Sequence, residues 1–486
     1  MKISVLFYSA FLISFTTSSQ IQIGNDIDGE GIGDYSGHSV SLSFDGNILA
    51  VGAYSNEADS GGTGHVRVYE NQLGVWAQLG NDIEGKPFST LFGYTVSLSS
   101  DGSTVAVGAI SNFGYVRIFR LESGIWEQLG GDIDGIDTSG RLGYSVSLSS
   151  DGSVVAIGSP GRPDGSGSGY TSIYKLESDT WSQIGDDIEN EASGDYSGYS
   201  VSMSSDGSIV AIGAPRNNGE GSLIDIGQVR VFENQSDVWT QLGNDIDGES
   251  IGYESGFSVS LSSDGTIVAI GAPDNGGNGI QSGHVRVYKY ESGNWSQIGD
   301  DIDGEVAYYR TGWSVSLSSN GNIVAIGEIG STSGATDIGR VRIFKNISGV
   351  WTQIGDNIFG EASEDYSGWS VSLSSDASVL AVGAPYNDGN GEDSGNTRVY
   401  DLSDRLSLNN QEISKISLFP NPSKQQFTIK LQDGLQLKKI TIYDSLGKLV
   451  KVVNANVIST LELSSGIYFI EIITNKGKAT KKLLVD

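Results

Sequence analysis

Residues 200–213 read Ser-Val-Ser-Met-Ser-Ser-Asp-Gly-Ser-Ile-Val-Ala-Ile-Gly, and this phrase decides the fold because the chain repeats it seven times. The turn residue of successive copies is Asp45, Asp101, Asp151, Asp206, Asp264, Asn320 and Asp376. Neighbouring copies are therefore 50–58 residues apart. Repeats of this period indicate a propeller or an array rather than a row of independent domains.

Each copy predicts four antiparallel strands. In the fourth copy, residues 199–204 alternate apolar and small polar side chains, as a half-buried strand does. Asp206-Gly207 then predicts a two-residue hairpin turn with both residues at positive φ. Residues 209–213 are apolar throughout, which is typical of a central strand covered on both faces. The third and fourth strands are expected at residues 228–232 and 238–242.

A displaced fragment predicts how the repeats close. The phrase W-x-Q-[LI]-G follows the first six copies and is missing after the seventh, whereas residues 20–24 carry it, with Gln20 in place of Trp, before the first copy. Stacking four-stranded sheets face to face buries their apolar faces, and a closed ring also uses the spare strand. We therefore predict an all-β, seven-bladed β-propeller over residues 20–402, in which residues 20–24 pair with residues 397–402. An open array is the alternative.

Composition bounds where the protein works. Residues 1–19 place Lys2 before an apolar run and small residues, the order of a secretory signal peptide. No later stretch is apolar enough to span a bilayer. There is no cysteine, which excludes disulfides and thiol chemistry. Residues 405–486 carry 12 basic and 6 acidic residues, so the rest carries 17 basic and 53 acidic ones. Such a body repels nucleic acid.

The repeats also resemble a known family. The segments Gly198-Tyr-Ser-Val, Val210-Ala-Ile-Gly-Ala-Pro215 and Gly227-Gln-Val-Arg-Val-Phe232 are similar to the FG-GAP repeats of integrin-α-like propellers. The resemblance implies the propeller fold. Many FG-GAP repeats hold calcium in a D-x-D-x-D-G loop of the first hairpin, but this chain has only Ser-Asp-Gly-Ser there. Calcium binding at that position is therefore not implied.

The basic tail predicts a second domain. Residues 403–412 have the composition of a linker, and residues 413–486 predict a small immunoglobulin-like β-sandwich. Leu418-Phe-Pro-Asn-Pro-Ser423, Leu463-Ser-Ser-Gly-Ile-Tyr-Phe469 and the closing Lys-rich strand resemble, in order, the type A sorting domain of the Bacteroidetes type IX secretion system. The resemblance implies recognition by the outer-membrane secretion machinery and a mature protein that is secreted or held at the outer-membrane surface. An ordinary immunoglobulin-like module is the alternative.

The sequence offers no catalytic constellation. His65 and His284 precede Val-Arg-Val-Tyr at a position that varies between copies, so we interpret both as surface residues at strand starts. His38 occupies the position of Tyr94, Tyr144 and Trp369, so we interpret it as a packing residue. There is no G-x-S-x-G motif, and no carboxylate departs from the repeat pattern. We therefore expect no catalytic residue and no enzyme activity.

The acidic segments between one repeat's fourth strand and the next repeat's first strand predict a binding face. Because strands alternate in direction, these segments emerge on the same face as the loops between strands two and three. The candidate residues are Asp26, Asp28, Asp132, Asp134, Asp245, Asp247, Asp301, Asp303, Asp274 and Asp388. Clustered oxygen donors suit calcium, but Asp and Gly are also ordinary turn formers, so both interpretations stay open.

Together these features predict an exported, non-catalytic binding or adhesion module with an extracellular glycan or protein ligand. Exposed rim aromatics such as Tyr35, Tyr253 and Tyr308 would favour it. One alternative is a secreted propeller enzyme acting on polysaccharide, which carboxylates about 5–10 Å apart at the ring centre would favour. A structural surface protein without a discrete ligand is the other.

Overall fold

The computed structural model describes most of both predicted domains. The described residues are 21–56, 63–87, 91–111, 113–136, 140–161, 169–218, 225–330, 337–403, 416–431, 436–444, 448–453, 455–474 and 477–485. The predicted signal peptide and nearly all of the predicted linker lie outside them, so these boundaries stay predictions.

Seven antiparallel sheets follow one another along residues 21–403. Each has the predicted four strands, with the first and fourth at its edges, and a two-residue fifth strand that pairs with the third. In chain order the strands are β1 (Ile21–Gln22), β2 (Ile27–Asp28), β3 (Ser39–Leu42), β4 (Ile48–Ala53), β5 (His65–Asn71), β6 (Trp76–Gln78), β7 (Ile83–Glu84), β8 (Phe92–Leu98), β9 (Thr104–Ala109), β10 (Tyr115–Glu122), β11 (Ile125–Gln128), β12 (Ile133–Asp134), β13 (Ser145–Leu148), β14 (Val154–Ser159), β15 (Tyr170–Glu177), β16 (Thr180–Gln183), β17 (Ile188–Glu189), β18 (Ser200–Met203), β19 (Ile209–Ala214), β20 (Gln228–Asn234), β21 (Trp239–Gln241), β22 (Ile246–Asp247), β23 (Ser258–Leu261), β24 (Ile267–Ala272), β25 (His284–Glu291), β26 (Asn294–Gln297), β27 (Ile302–Asp303), β28 (Thr311–Leu317), β29 (Ile323–Glu328), β30 (Arg340–Ile347), β31 (Val350–Gln353), β32 (Ile358–Phe359), β33 (Ser370–Leu373), β34 (Val379–Ala384) and β35 (Asn396–Asp401).

The core lies between the sheets, which we call blades 1 to 7 from β3 onward. Side chains of blade 4 such as Ala211, Val229 and Val231 form one buried cluster with Leu261 and Ile270 of blade 5. Central strands are apolar at consecutive positions because both of their faces are covered in this way. The structure confirms the all-β, seven-bladed propeller.

The first hairpin of each blade differs from the predicted two-residue turn. Within the first hairpin of blade 4, Gly207 takes a positive φ, of 73°, and Asp206 does not. Ser204 donates its backbone N–H to Ile209, so four residues form the loop. Asp206 instead accepts hydrogen bonds from the Ser204 hydroxyl and the Ser208 N–H, at 2.8 and 3.0 Å. The carboxylate holds the wider loop, which explains why Asp recurs there.

The start of the chain completes the last blade. Ile21 pairs with Asp401 and Gln22 with Tyr400, antiparallel, and the Ile23 N–H donates to the Val399 carbonyl at 2.7 Å. β2 extends the pairing, because Ile27 lies opposite Thr397. The predicted closure is thus confirmed for the described residues, from Ile21 onward.

Two circles of hydrogen bonds join the blades near the axis. In the first, a backbone N–H in each first hairpin donates to the same hairpin of the following blade at 2.8–2.9 Å. The circle runs Phe44, Ser100, Ser150, Ser205, Ser263, Ser319, Ser375 and back to Phe44. In the second, a serine hydroxyl of each innermost strand accepts the N–H of a residue in the next blade, as Ser41 does from Leu98 at 3.0 Å. Serine recurs there because it is small and accepts this bond.

Tryptophans join the blades at the outer rim. The indole N–H of each donates to a carbonyl of the preceding blade at 2.7–3.0 Å. The six residues are Trp76, Trp126, Trp181, Trp239, Trp295 and Trp351. Trp76 bonds to Ile23, so it attaches blade 1 to the closing strand.

The tail forms the predicted small β-sandwich. Its strands are β36 (Ser417–Phe419), β37 (Gln426–Lys430), β38 (Leu437–Tyr443), β39 (Leu449–Val453), β40 (Val457–Ser459), β41 (Gly466–Thr474) and β42 (Gly477–Val485). One sheet has the order β36-β37-β40 and the other β39-β38-β41-β42. Phe427, Ile440, Ile470 and Leu483 are fully buried in its core.

We expect a disulfide across the closing pair to form spontaneously and to raise the melting temperature. Residues 21 and 401 are direct antiparallel partners, about 5.5 Å apart at Cα, which is within disulfide range. Because the chain has no cysteine, Ile21→Cys with Asp401→Cys can form only this intramolecular bond. Non-reducing electrophoresis and thermal melts measure it. Either single variant is the control, and free thiols after oxidation would contradict the closure.

Candidate functional site

Seven aromatic side chains form a closed circle at the axis, which we call the aromatic ring. Its members are His38, Tyr94, Tyr144, Tyr199, Phe257, Trp313 and Trp369. Neighbouring centroids are 4.5–5.5 Å apart and neighbouring planes are tilted by 44–55°. Every member is half-buried, so the ring presents aromatic surface to solvent on the face of the loops between strands two and three.

A glycine before each ring member sets this geometry. Gly37 has a φ of 86°, and a Cβ there would lie 2.3 Å from the Asn396 carbonyl oxygen. The corresponding glycine of blade 2, Gly93, has a φ of 90° and faces the His65 carbonyl in the same way. Only glycine allows this close approach, which brings each first strand against the neighbouring blade.

Four tyrosines lie beside the aromatic ring at blades 7 and 1, and we call them the tyrosine wall. They are Tyr35, Tyr54, Tyr366 and Tyr386. Tyr35 stacks on Tyr54 with centroids 5.2 Å apart and planes 8° from parallel. Tyr386 lies 5.2 Å from Tyr35 and 5.1 Å from Tyr366. Of the three predicted rim aromatics, Tyr35 therefore belongs to a larger cluster that contacts the aromatic ring.

Four charged side chains occupy the equivalent positions in blades 4 to 6, and we call them the charged wall. They are Arg216, Glu254, Asp274 and Arg310. Arg216 lies 3.9 Å from Glu254, and Arg310 lies 3.6 Å from Asp274. Burial, and then the nearby Asp274 charge, raise the pKa of Glu254 to about 6. The Arg310 guanidinium also lies 5.8 Å from the Trp313 ring centre. The aromatic ring and the two walls together form one surface, which we call the axial site.

The predicted acidic residues mostly serve the scaffold. A glutamine of the fourth strand donates to the aspartate four residues later at 2.5–2.8 Å. These pairs are Gln22–Asp26, Gln78–Asp82, Gln128–Asp132, Gln183–Asp187, Gln241–Asp245 and Gln297–Asp301. The second residue of each acidic pair lies in the short fifth strand, which sequence reasoning treated as a turn.

The structure therefore separates the ten candidates. Asp26 with Asp28, Asp132 with Asp134, Asp245 with Asp247 and Asp301 with Asp303 belong to four different blades. Arg117 and Lys86, 2.7 and 2.8 Å from Asp132, hold the pKa of that carboxyl well below its usual range although burial opposes them. Burial, followed by the neighbouring Asp301, raises the pKa of Asp303. Asp388 accepts a loop N–H at 2.9 Å, and only Asp274 lies in the axial site.

Two of the three histidines are fully buried. The interpretation of His65 and His284 as surface residues is wrong, since they are 1% and 2% exposed. Both begin third strands, which lie inside the sheet and are covered by an acidic loop of the preceding blade. His38 packs as predicted, and its Nδ1–H is 3.0 Å from the Tyr94 carbonyl oxygen.

We expect stability to rise with pH between about 4 and 6.5 through His38. Burial lowers the pKa of His38 from 6.5 to about 4, so in this window the unfolded chain binds more protons than the folded one. The effect is at most about 3 kcal/mol, because solvent reaches part of the imidazole ring. Denaturant unfolding of wild type and His38→Tyr, a residue three other blades carry at this position, measures it. Parallel pH profiles would contradict the assignment.

One carboxylate does break the repeat pattern, contrary to the sequence interpretation. Glu328 takes the place of Ala214, Ala272 and Ala384 and is fully buried. The Arg340 Nε–H donates to it at 2.6 Å, and Arg342 also donates to it. Both of its oxygens are therefore engaged by buried guanidinium groups, and the cluster joins two strands of blade 6.

Replacing Glu328 by Ala should lower the free energy of unfolding by about 3–5 kcal/mol, because two buried arginines lose their counter-charge. Denaturant unfolding measures this. The control is Asp356→Ala, which also removes one acidic side chain from the same blade, on its outer turn. A loss below about 1 kcal/mol would show that Glu305, which contacts both arginines, suffices for them.

Comparisons with known proteins find a family match within each domain. Residues 417–486 match the family described as the secretion system C-terminal sorting domain, and residues 360–400 match the FG-GAP repeat. The chain is thus a repeat propeller with a sorting domain. More particularly, it is an FG-GAP repeat propeller exported by type IX secretion, which implies contact with the secretion machinery and a secreted or cell-surface location.

One solved structure supports the fold. A chain of the mitotic checkpoint complex crystal structure aligns with a TM-score of 0.52 at 16% identity, covering 82% of this chain and 97% of that one. A candidate 6-phosphogluconolactonase of Bacteroides uniformis gives 0.49 at 12%, covering 67% and 86%, and one of Bacteroides fragilis gives 0.47 at 13%, covering 67% and 85%. No curated protein matches the chain. Within the described residues, no helix has the length and apolar character needed to cross a membrane.

Proposed function

We propose that the propeller is a non-catalytic binding module whose ligand contacts the axial site. The observation that carries the proposal is the closed ring of seven half-buried aromatic side chains. Aromatic side chains offer large contact area at low conformational cost, and they are typical of binding surfaces. Loops on a rigid scaffold are the usual place for such a site.

A glycan is the ligand class that best fits this surface. The C–H faces of a sugar ring can pack on the aromatic ring and the tyrosine wall, while its hydroxyls can bond to the charged wall. Arg216, Glu254, Asp274 and Arg310 supply both donors and acceptors there. A mainly aromatic surface with a few polar groups beside it is the usual composition of a ligand site. Because the body is strongly acidic, we propose a neutral rather than an anionic glycan.

A polysaccharide-cleaving enzyme is the second candidate, and one observation favours it. Glu254, with a pKa of about 6, could donate a proton near neutral pH, and Asp274 is a second carboxylate beside it. However, arginines lie within 4 Å of both groups. We favour binding because such ion pairs fix the two acids as hydrogen-bonding groups.

Removing the tyrosine wall should weaken glycan binding. We expect Tyr35→Ala or Tyr386→Ala to raise the Kd about tenfold, which corresponds to about 1.4 kcal/mol of lost aromatic contact. A glycan-array screen of the purified full chain identifies the probe, and calorimetry measures its affinity. Phe44→Ala, which removes an exposed aromatic side chain from the hairpin circle on the opposite face, is the matched control and should leave Kd unchanged.

The same experiment separates the two candidate functions. Binding without product release, in wild type and in Glu254→Gln alike, supports the binding module. Cleavage of the bound glycan by wild type and its loss in Glu254→Gln would overturn the proposal in favour of the enzyme. Equal loss of affinity in Phe44→Ala would place the ligand elsewhere.

A further inference from the structure

Two histidine–carboxylate clusters lie outside the axial site, each where a third strand begins beneath a loop of the preceding blade. Blade 1 brings together Glu30, His65 and Asp82, and blade 5 the repeat-equivalent Glu249, His284 and Asp301. In each cluster one nitrogen or oxygen atom of every residue lies within 4.8 Å of the others. The histidine is buried, and the glutamate is exposed to solvent.

The buried imidazole of His65 is the observation that indicates a ligand. Its side chain is 1% exposed, and neither ring nitrogen has a hydrogen-bond partner among the described residues. The Glu30 Oε2 atom lies 3.9 Å from Nδ1, too far for a hydrogen bond. Buried polar atoms are normally bonded, so an imidazole without a partner needs an explanation. Burial, followed by the charge of Arg67, lowers the pKa of His65, which favours the neutral imidazole that binds metals.

The carboxylates are held in place from outside each cluster. Gln78 donates to Asp82 Oδ1 at 2.5 Å, and Gln297 donates to Asp301 Oδ1 at 2.6 Å. Arg67 lies 3.4 Å from Glu30 Oε1, which leaves Oε2 nearest the imidazole. Such outer contacts are the usual means of orienting metal ligands.

The second cluster has the same arrangement. Arg286 lies 3.6 Å from Glu249 Oε1, and Arg67 lies 3.4 Å from Glu30 Oε1. The second oxygen of Asp301, Oδ2, lies 3.4 Å from His284 Nδ1. Here the imidazole already has one carboxylate partner, so the cluster of blade 1 carries the stronger case.

Other blades have a donor of their own at the equivalent place. In blade 2, Lys86 stands where blade 1 has Glu30, and its Nζ is 2.8 Å from Asp132. In blade 6, Arg340 stands where blade 1 has His65, and its guanidinium is 3.0 Å from Glu305. In blade 4, the Gln228 amide is 3.2 Å from Glu191. These three blades thus set a cationic or amide donor against a carboxylate, whereas blades 1 and 5 have an imidazole.

We propose that Glu30, His65 and Asp82 bind one divalent transition-metal ion, and that Glu249, His284 and Asp301 bind a second. One imidazole nitrogen and two carboxylate oxygens suit Zn²⁺, with water completing the coordination, whereas Ca²⁺ prefers six to eight oxygen ligands. Each ion would join consecutive blades. The first would join blade 1 to the segment that follows β2, in which Glu30 lies.

Metal analysis of the full chain tests the proposal. The protein is purified without a histidine tag, stripped with chelator and dialysed against Zn²⁺. We expect about two Zn²⁺ per chain, one for His65→Gln and none for His65→Gln with His284→Gln, with a zinc-dependent rise in melting temperature that the double variant loses. Glutamine suits the fold there because blade 4 carries Gln228 at this position. His38→Tyr, which removes the third histidine, should leave the stoichiometry at two.

Three outcomes would overturn the proposal. Wild type could bind less than one Zn²⁺ per chain. The double variant could bind as much zinc as wild type, which would assign the metal to scattered surface acids. Ca²⁺ could raise the melting temperature while Zn²⁺ does not, which would exclude the transition-metal class. None of these results depends on the axial site or its ligand.

Discussion

The hydrogen bond from each innermost hairpin to the next is the interaction on which the rest of the structure depends. An exposed sheet edge leaves backbone N–H and C=O groups unpaired. The circle from Phe44 through Ser375 satisfies these groups with the neighbouring blade. Because it returns to its start after seven steps, it also fixes the number of blades. The serine hydroxyls of the innermost strands, which accept backbone N–H groups of the next blade, join the same neighbouring blades a second time.

The aromatic ring is a consequence of this register. Each member lies at the same step of an innermost strand, so joining the strands edge to edge brings the side chains into contact all round. Scaffold positions are nearly invariant between repeats, whereas the position three residues before each ring member carries Tyr, Leu, Arg or Glu. The axial site thus has a uniform floor and walls that differ from one side to the other.

The sequence was sufficient to predict the architecture, because every copy predicts the same four strands and the displaced fragment at residues 20–24 predicts how the ring closes. It was insufficient for the site, since contact across the axis depends on register between blades. The shared position of His38, Tyr94, Tyr144 and Trp369 was visible as a signal, yet nothing local shows that these side chains meet. The burial of His65 was missed because a loop from another blade covers it. Glu328 was overlooked at a position where other copies carry Ala or Ser, although simple alignment of the copies shows the difference.

The closing strand has a consequence for the order of folding. Ile21 and Asp401 are direct partners although nearly the whole propeller separates them in sequence, so their pairing is among the least local contacts in the chain. Contacts of this kind form late, because a long loop must be ordered before they are gained. Blades 1 to 6 can assemble from segments that are neighbours in sequence, but blade 7 is complete only when the first strand of the propeller pairs with its last. An incomplete chain would therefore present an open β-edge, and only the full repeat array yields a finished surface.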